Sequence, residues 1–555
     1  MDKSDERRGG DAGTRPMIGV SVEPHEREVA EEFFQLFKTA WEFAREGTAY
    51  DVLVATVPIS SAFQARLTIV FSAPAADALR AESYIHYRGR AIAMHGPVTS
   101  FPSSSITLAL LDGKEPVVQG RRSGDNKYVD VGYNLFMEVR QLLLKGQSIA
   151  NAAVPALDLH IDLLRSLILG AGLPLVEIPP APSGYRYITC LSHDIDHPVM
   201  RNHRFDSTMV GFVYRATIGT LSDVIKKRRP AKELWKNLWA TLSLPLVHLH
   251  LIDDPWLKFD RFLEIERDLG ATYFVIPTPG DPGRNPHEPV PAVRASSYRL
   301  SQIKDPIARI TSAGAELGLH GLNAWLDEND ASAELALVAP FSAQSEYGIR
   351  MHWLYFDEGS PRRLENVGLK YDSSIGYNET IGYRAGTTQV YRPFGAKSLL
   401  ELPLHVMDTA MFFTGFLNLR RDEAMEQIET MLQHARESGG VVTINWHDRS
   451  LFAERHWGEF YVELVARLKQ DSPWFPTIAN AVKWFRSRRE AAFVWNAENR
   501  SLLLKCAECP PEIPGMVLRT HRPKANAWSN TVFTLDNIEV VDQPVNPSIE
   551  VNVLV

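Results

Sequence analysis

From Tyr185 to about Arg489, apolar runs alternate with amphipathic stretches of helical period, a pattern that restricts this part of the chain to a parallel α/β fold. The runs are YRYITCLS (185–192), ATYFVIP (271–277), AELGLH (315–320), SEYGIRMH (345–352), LLELPLHVM (399–407) and GVVTINWH (440–447). Helices are predicted at 255–268, 302–313, 360–367, 422–437 and 476–489. In such a fold the C-terminal ends of the strands share one face, and functional side chains gather there. The residues that close each run are therefore informative. The runs end in Asp194 and Asp196, in His320, in Arg350 and His352, in His405 and Asp408, and in His447 and Asp448.

Strand periodicity sorts these residues further. Asp194 and Asp196 are two apart and share a face, whereas His193, Ile195 and His197 face the other way. Two ionised carboxylates at short range repel, so the pair asks for a cation or a guanidinium. Taken singly, such aspartates also fit a solvated turn, and a lone histidine fits a hydrogen-bonded core position. The repetition at strand ends within one domain favours a functional centre.

In this order, LSHDIDHP, GATYFVIP, GAELGLHG, IRMHWLYFD and VVTINWHD resemble the landmarks of the polysaccharide deacetylase (NodB-homology) family of carbohydrate esterases, over roughly residues 186–488. The resemblance implies a distorted (β/α) barrel and a hydrolase that removes N-acetyl groups from an amino sugar or glycan intermediate. It implies that Asp194 is the general base, that Asp196 and His320 hold a divalent metal such as zinc, that Arg350 keeps the base ionised and oriented, and that His447 is the general acid. The sequence departs from the family in one place: the second histidine of its third motif is replaced by Ala324. His352, two residues past Arg350, is the preferred third ligand. His193 and His197 come next, against their strand parity, and Asn323 is a poor neutral ligand for zinc. A small-amide hydrolase on the same barrel, or a carbohydrate-binding protein whose catalysis has lapsed, are the competing readings.

Around this core, the Gly-, Asn- and Tyr-rich stretch 371–387 reads as a substrate-contacting loop carrying Asp372 and Arg384, or as a plain ordered loop. Trp353 and Trp446 are candidates to stack on a sugar face, and core packing is the competing account. Asp408 could orient His405 or His447, or simply start a turn. Cys506 and Cys509 form a lone CxxC, which fits two half-buried strand cysteines better than a structural zinc site. KKRRPAK (226–232) reads as the solvated face of an insertion between the first two strands.

Outside the barrel, the expected layout is a disordered leader (1–15), an N-terminal α/β domain (16–175), a Pro-rich linker (176–185), the catalytic domain (186–490) and a small C-terminal β domain (491–555). Fifty-nine basic against 67 acidic residues, a net charge of −8, supply no overall field for nucleic acid or anionic lipid. No apolar leader of secretory type and no stretch of membrane-spanning length is readable, and only three cysteines occur, so a cytoplasmic protein is expected; the resemblance implies a carbohydrate substrate. The oligomeric state is not readable.

Overall fold

A computed structural model describes residues 14–72, 83–101, 106–226, 230–257, 259–452, 454–455, 457–496, 498–499, 501–523 and 538–545. It also describes Ser104 and the backbone of 528–529, 532–533 and 549–551. The chain forms two compact units, one of residues 143–155 and 180–485, the other of residues up to 142, 156–179 and from 486 onward.

The first unit is built on eight parallel strands: β1 (Ile188–Ile195), β2 (Ala271–Val275), β3 (Glu316–Gly321), β4 (Gly348–Met351), β5 (Tyr371–Asp372), β6 (Leu400–Glu401), β7 (Val406–Met407) and β8 (Val441–Asn445). Their order is β6-β5-β4-β3-β2-β1-β8-β7. Each strand lies beside a sequence neighbour and the last pairs with the first, as in a barrel. Between β6 and β7 no ladder forms among the described residues, so the sheet is a curled parallel half-barrel.

Every residue of β1 is buried, as expected where helices cover a parallel sheet. One parity, Leu191 and Ile195, joins the main apolar core with Phe262, Tyr273 and Ile303. The other parity carries Ser192 and Asp194. Gly348 opens β4 because a Cβ there would overlap the ring of Tyr371 on β5.

Three expectations change. LLELPLHVM, read as one strand, is two, because Pro403 lies between β6 and β7 and has no N–H for a ladder. The start of the stretch read as a loop at 371–387 forms β5, too short to show a period in the sequence. The helix read at 255–268 appears as a short 3-10 turn at Pro255–Leu257 and a helix at Asp260–Ile265. The later helices lie at Lys304–Ser312, Ser360–Asn366, Arg421–Ser438 and Ile478–Glu490.

The second unit contains a six-stranded sheet, in the order Trp41–Phe43, Arg15–Ser21, Ala49–Ala55, Gln64–Phe71, Asn126–Val131 and Val118–Ser123. All neighbours are parallel except the last pair, which is an antiparallel hairpin. The helix Arg27–Phe37 stops where Lys38 turns left-handed (φ 44°), and Trp41–Phe43 then adds an edge strand. The stretch read as a linker supplies the strand Leu175–Glu177, which pairs antiparallel with Val517–Pro523. Glu177 anchors that pairing, accepting a hydrogen bond from His521 at 2.8 Å and an ion pair from Arg165 at 2.9 Å. Most of the expected leader, residues 1–13, lies outside the described residues, as do parts of the expected C-terminal β domain. Among the described residues no helix is long and apolar enough to cross a membrane.

Candidate functional site

Asp194, near the end of β1, is held from two sides. Arg350 Nη1 on β4 donates to its Oδ1 at 3.0 Å, and Asn445 Nδ2 on β8 donates to its Oδ2 at 2.7 Å. Arg350 is fully buried, and its fork is otherwise engaged by Ser192 Oγ (2.8 Å), Ser373 O (3.1 Å) and Ser373 Oγ (3.0 Å), over the ring of Phe274. Burial pushes the Asp194 carboxyl up, but His320, Arg350 and His447 outweigh it and leave the group below the usual carboxylate range. Asp194 is thus an ionised carboxylate fixed in one orientation.

Asp196, His320 and His352 form a second cluster, with one donor atom from each within 4.8 Å of the others. The tautomers are set by the backbone. His320 Nδ1 donates to the Arg350 carbonyl at 2.9 Å, and His352 Nε2 donates to the Arg294 carbonyl at 3.0 Å. With those protons placed, His320 Nε2 and His352 Nδ1 face each other as bare lone pairs 3.0 Å apart. Asp196 Oδ1 lies 3.3 Å from the first and 3.5 Å from the second, and it is buried with no hydrogen-bond partner. With both imidazoles neutral, three lone-pair donors converge here and repel, and a cation removes the repulsion. Two imidazole nitrogens and one carboxylate oxygen, each imidazole anchored through its other nitrogen, suit zinc or a similar divalent ion. Burial foremost drives the His352 imidazole down to about 3, so it is neutral and free to ligate. Burial also pushes Asp196 up, but the surrounding histidines, His352 first, hold it well below the usual range.

The turn after β4 that presents His352 is strained. Trp353 (φ 61°) and Leu354 (φ 55°) are consecutive left-handed non-glycine residues, a conformation that costs about 1–3 kcal/mol each. Neighbours hold it in place: Arg294 Nη2 donates to His352 O at 2.6 Å, and Asn378 Nδ2 donates to Trp353 O at 3.0 Å. Arg294 therefore brackets His352, taking its imidazole proton on one side and its carbonyl on the other. Nothing in the sequence around Arg294 signals this, because it lies in an aperiodic connection between β2 and β3. Asn445 carried a signal in sharing strand parity with His447, and in the structure it pairs in register with Ser192.

His447 stands on the far side of Asp196. Its Nδ1 donates to Asp408 Oδ1 at 2.6 Å and its backbone N–H to Asp408 Oδ2 at 2.9 Å, leaving Nε2 3.7 Å from Asp196 Oδ2. Burial lowers the imidazole, but Asp408 first, then Asp196 and Asp194, raise it to about 9. It carries its proton through neutrality. Asp408→Asn removes the largest of those raising charges, so His447 loses its proton at lower pH. The alkaline limb of the pH–rate profile is expected to move acidward by about a unit, with kcat reduced ~10–100-fold. An unmoved limb would assign it to another group.

The remaining predicted residues are placed differently. His193 points into the core, with Nε2 2.7 Å from Glu266 Oε1 and Nδ1 2.9 Å from Trp446 O. His197 turns its ring toward His203, its backbone N–H donating to Asp448. His405 is taken up by Thr387 O and the Thr443 N–H. Trp446, a candidate for sugar stacking, has 0% exposure and stacks on Phe460 and Tyr461; it belongs to the core because its parity on the chain after β8 is opposite to that of Asn445. Trp353 is 37% exposed, its ring 6.2 Å from that of His352. Asp372 is buried, accepting from Ser374 Oγ, and burial raises it to about 6. Arg384 is half-buried, donating to Gly376 O at 2.8 Å and lying over Phe356.

Fold and site together define a class: a parallel half-barrel whose strand ends carry two histidines and one carboxylate that could hold a cation, between a fixed carboxylate and a protonated imidazole. No protein-family profile matches the sequence, and no curated protein does. Similar solved structures include a protein assigned as a polysaccharide deacetylase from Mycobacterium smegmatis (18% identity, 56% of this chain and 96% of that one, TM-score 0.35). PuuE allantoinase is another (13% identity, 55% and 92%, TM-score 0.33). A third is assigned as a polysaccharide deacetylase from Pseudomonas aeruginosa PAO1 (14% identity, 41% and 72%, TM-score 0.30).

Proposed function

We propose that the protein is a metal-dependent hydrolase of a carbon–nitrogen bond, removing an N-acetyl group from an amino sugar or glycan intermediate. The observation that carries this reading is the convergence of His320 Nε2, His352 Nδ1 and the unpartnered Asp196 Oδ1 on one point. A divalent ion held there, for which zinc best suits the donors, would supply Lewis acidity toward an acyl carbonyl.

The chain supplies the proton transfers. Asp194, ionised and oriented by Arg350 and Asn445, accepts a proton from the attacking water. His447 Nε2, across Asp196 and kept protonated by Asp408, donates to the departing amine, which is otherwise a very poor leaving group. Trp353, exposed beside His352, offers an apolar face on which a sugar ring can rest.

Purified protein is expected to hold about one divalent ion per chain, from the one donor cluster found among the described residues. Chelation should abolish acetate release from N-acetylated oligosaccharides or nucleotide-linked N-acetyl sugars, and zinc or cobalt should restore it. Absence of a stoichiometric ion, with none taken up at micromolar levels, would sink the enzyme reading. Turnover of small cyclic amides with no acetate release would overturn the substrate.

A further inference from the structure

The insertion between β1 and β2 is built inside out. Its first arm runs helically from Ser207–Tyr214 through a π turn, Arg215–Gly219, to Thr220–Ile225. Val210, Tyr214, Ile218, Leu221 and Ile225 recur every three or four residues, which places them on one helical face, and all five are exposed. Phe212, Ala216 and Thr220 are the buried side chains of this arm.

The second arm, Ala231–Leu242, repeats the inversion. Its buried residue is the polar Asn237, whose Nδ2 donates to Thr220 Oγ1 at 2.9 Å, while Trp235 and Trp239 are 74% and 70% exposed. Leu242 and Leu246 extend that exposed face. More than half of the exposed large apolar side chains among the described residues lie between 205 and 252. A soluble surface rarely gathers so many within one short segment, and such a concentration of exposed apolar side chains marks an interaction site.

Charge identifies the occupant. The chain as a whole is acidic, yet residues 201–252 contain nine lysines and arginines against three acidic residues. Lys232 and Lys236, both exposed, stand on the second arm next to the tryptophan face, and Lys226 is exposed at the end of the first arm. Residues 227–229 of the basic run lie outside the described residues. Two copies meeting through this face would bring like charges together, whereas an anionic bilayer attracts the lysines while its acyl boundary takes up the tryptophans and leucines. The arms bury their opposite side, so they suit lying in the plane of an interface.

We infer that this helical hairpin is a membrane-interface anchor that seats the protein on anionic lipid. Its inner side packs Phe212, Ala216, Leu244, Val247 and Trp256 with Phe452, five residues after His447, so the anchored surface adjoins the strand ends of the half-barrel. This inference does not depend on the hydrolase reading.

Cosedimentation of the full chain with vesicles tests it without an activity readout. Phosphatidylcholine vesicles containing phosphatidylglycerol are expected to carry the protein down roughly tenfold or more better than phosphatidylcholine alone, with the difference lost at high salt. Trp235→Glu/Trp239→Glu, at exposed positions, should cut vesicle binding at least ~10-fold with an unchanged far-UV circular dichroism spectrum. Lys232→Glu/Lys236→Glu should erase the preference for anionic lipid. Wild-type protein that stays in the supernatant, or a tryptophan variant that binds as wild type does, overturns the inference. So does light scattering that shows a wild-type dimer converted to monomer by the tryptophan changes, which would make a second copy the occupant.

Discussion

Asp194→Asn is expected to keep the divalent ion and lose acetate release by roughly 10²–10⁴-fold, the usual contribution of a positioned base. The replacement fits the site. Its amide oxygen can still accept from Arg350, and its amide N–H₂ would face Asn445, whose Oδ1 is buried without a partner. Rotating the Asn445 amide turns that oxygen toward position 194, so the variant should fold with a cost of about 1–3 kcal/mol for the weakened charge pairing. Metal content by elemental analysis and acetate release together decide the outcome. A near-normal rate would remove Asp194 from the role of base. Loss of the ion would instead make it a ligand, a role that its 3.8 Å separation from His320 Nε2 leaves to the experiment.

Arg350→Met is expected to destabilise the protein by about 3–5 kcal/mol, because it leaves a buried carboxylate without its counter-charge. Methionine fills much of the volume beside Phe274 but replaces none of the four hydrogen bonds to Ser192, Asp194 and Ser373. The sign of the pH effect comes from the direction of the shift. Asp194 is held below its ordinary value in the folded state, so its contribution to stability is present above that value and fades as pH falls through the lowered one. Without Arg350 the carboxyl rises, and the acid limb of any residual activity should move to higher pH. Denaturant unfolding measures the loss. Adding Asp194→Asn to Arg350→Met should recover about 1 kcal/mol or more, since no unpaired charge then remains. Strict additivity would show that the two side chains are not energetically coupled.

Much of the site is legible before any folding is known. The two-residue period of β1 separates Asp194 and Asp196 from His193, and in the structure His193 is spent on Glu266 in the core. The same reasoning, applied from Arg350 to His352, points to the imidazole that stands with Asp196 and His320. It misleads where the backbone leaves strand geometry or where strands are too short. β5 and β7, two residues each, have no period to detect. Trp446 adjoins His447 in the sequence, but its ring belongs to the core stack with Phe460 and Tyr461. Arg294 is the clearest omission, because its role comes from two contacts with a residue 58 positions away.

The sequence by itself determined which ionisable residues end the strands and which face each takes, because strand alternation is a property of the local backbone. Tertiary structure decided which imidazole nitrogens are bare, because the carbonyls that take the other protons belong to Arg350 and Arg294 on distant segments. It also decided what the apolar stripes of the 207–242 hairpin do. Helical periodicity shows that a stripe exists, but only packing shows whether it meets the core or solvent, and here the polar Asn237 is buried while Trp235 and Trp239 face out.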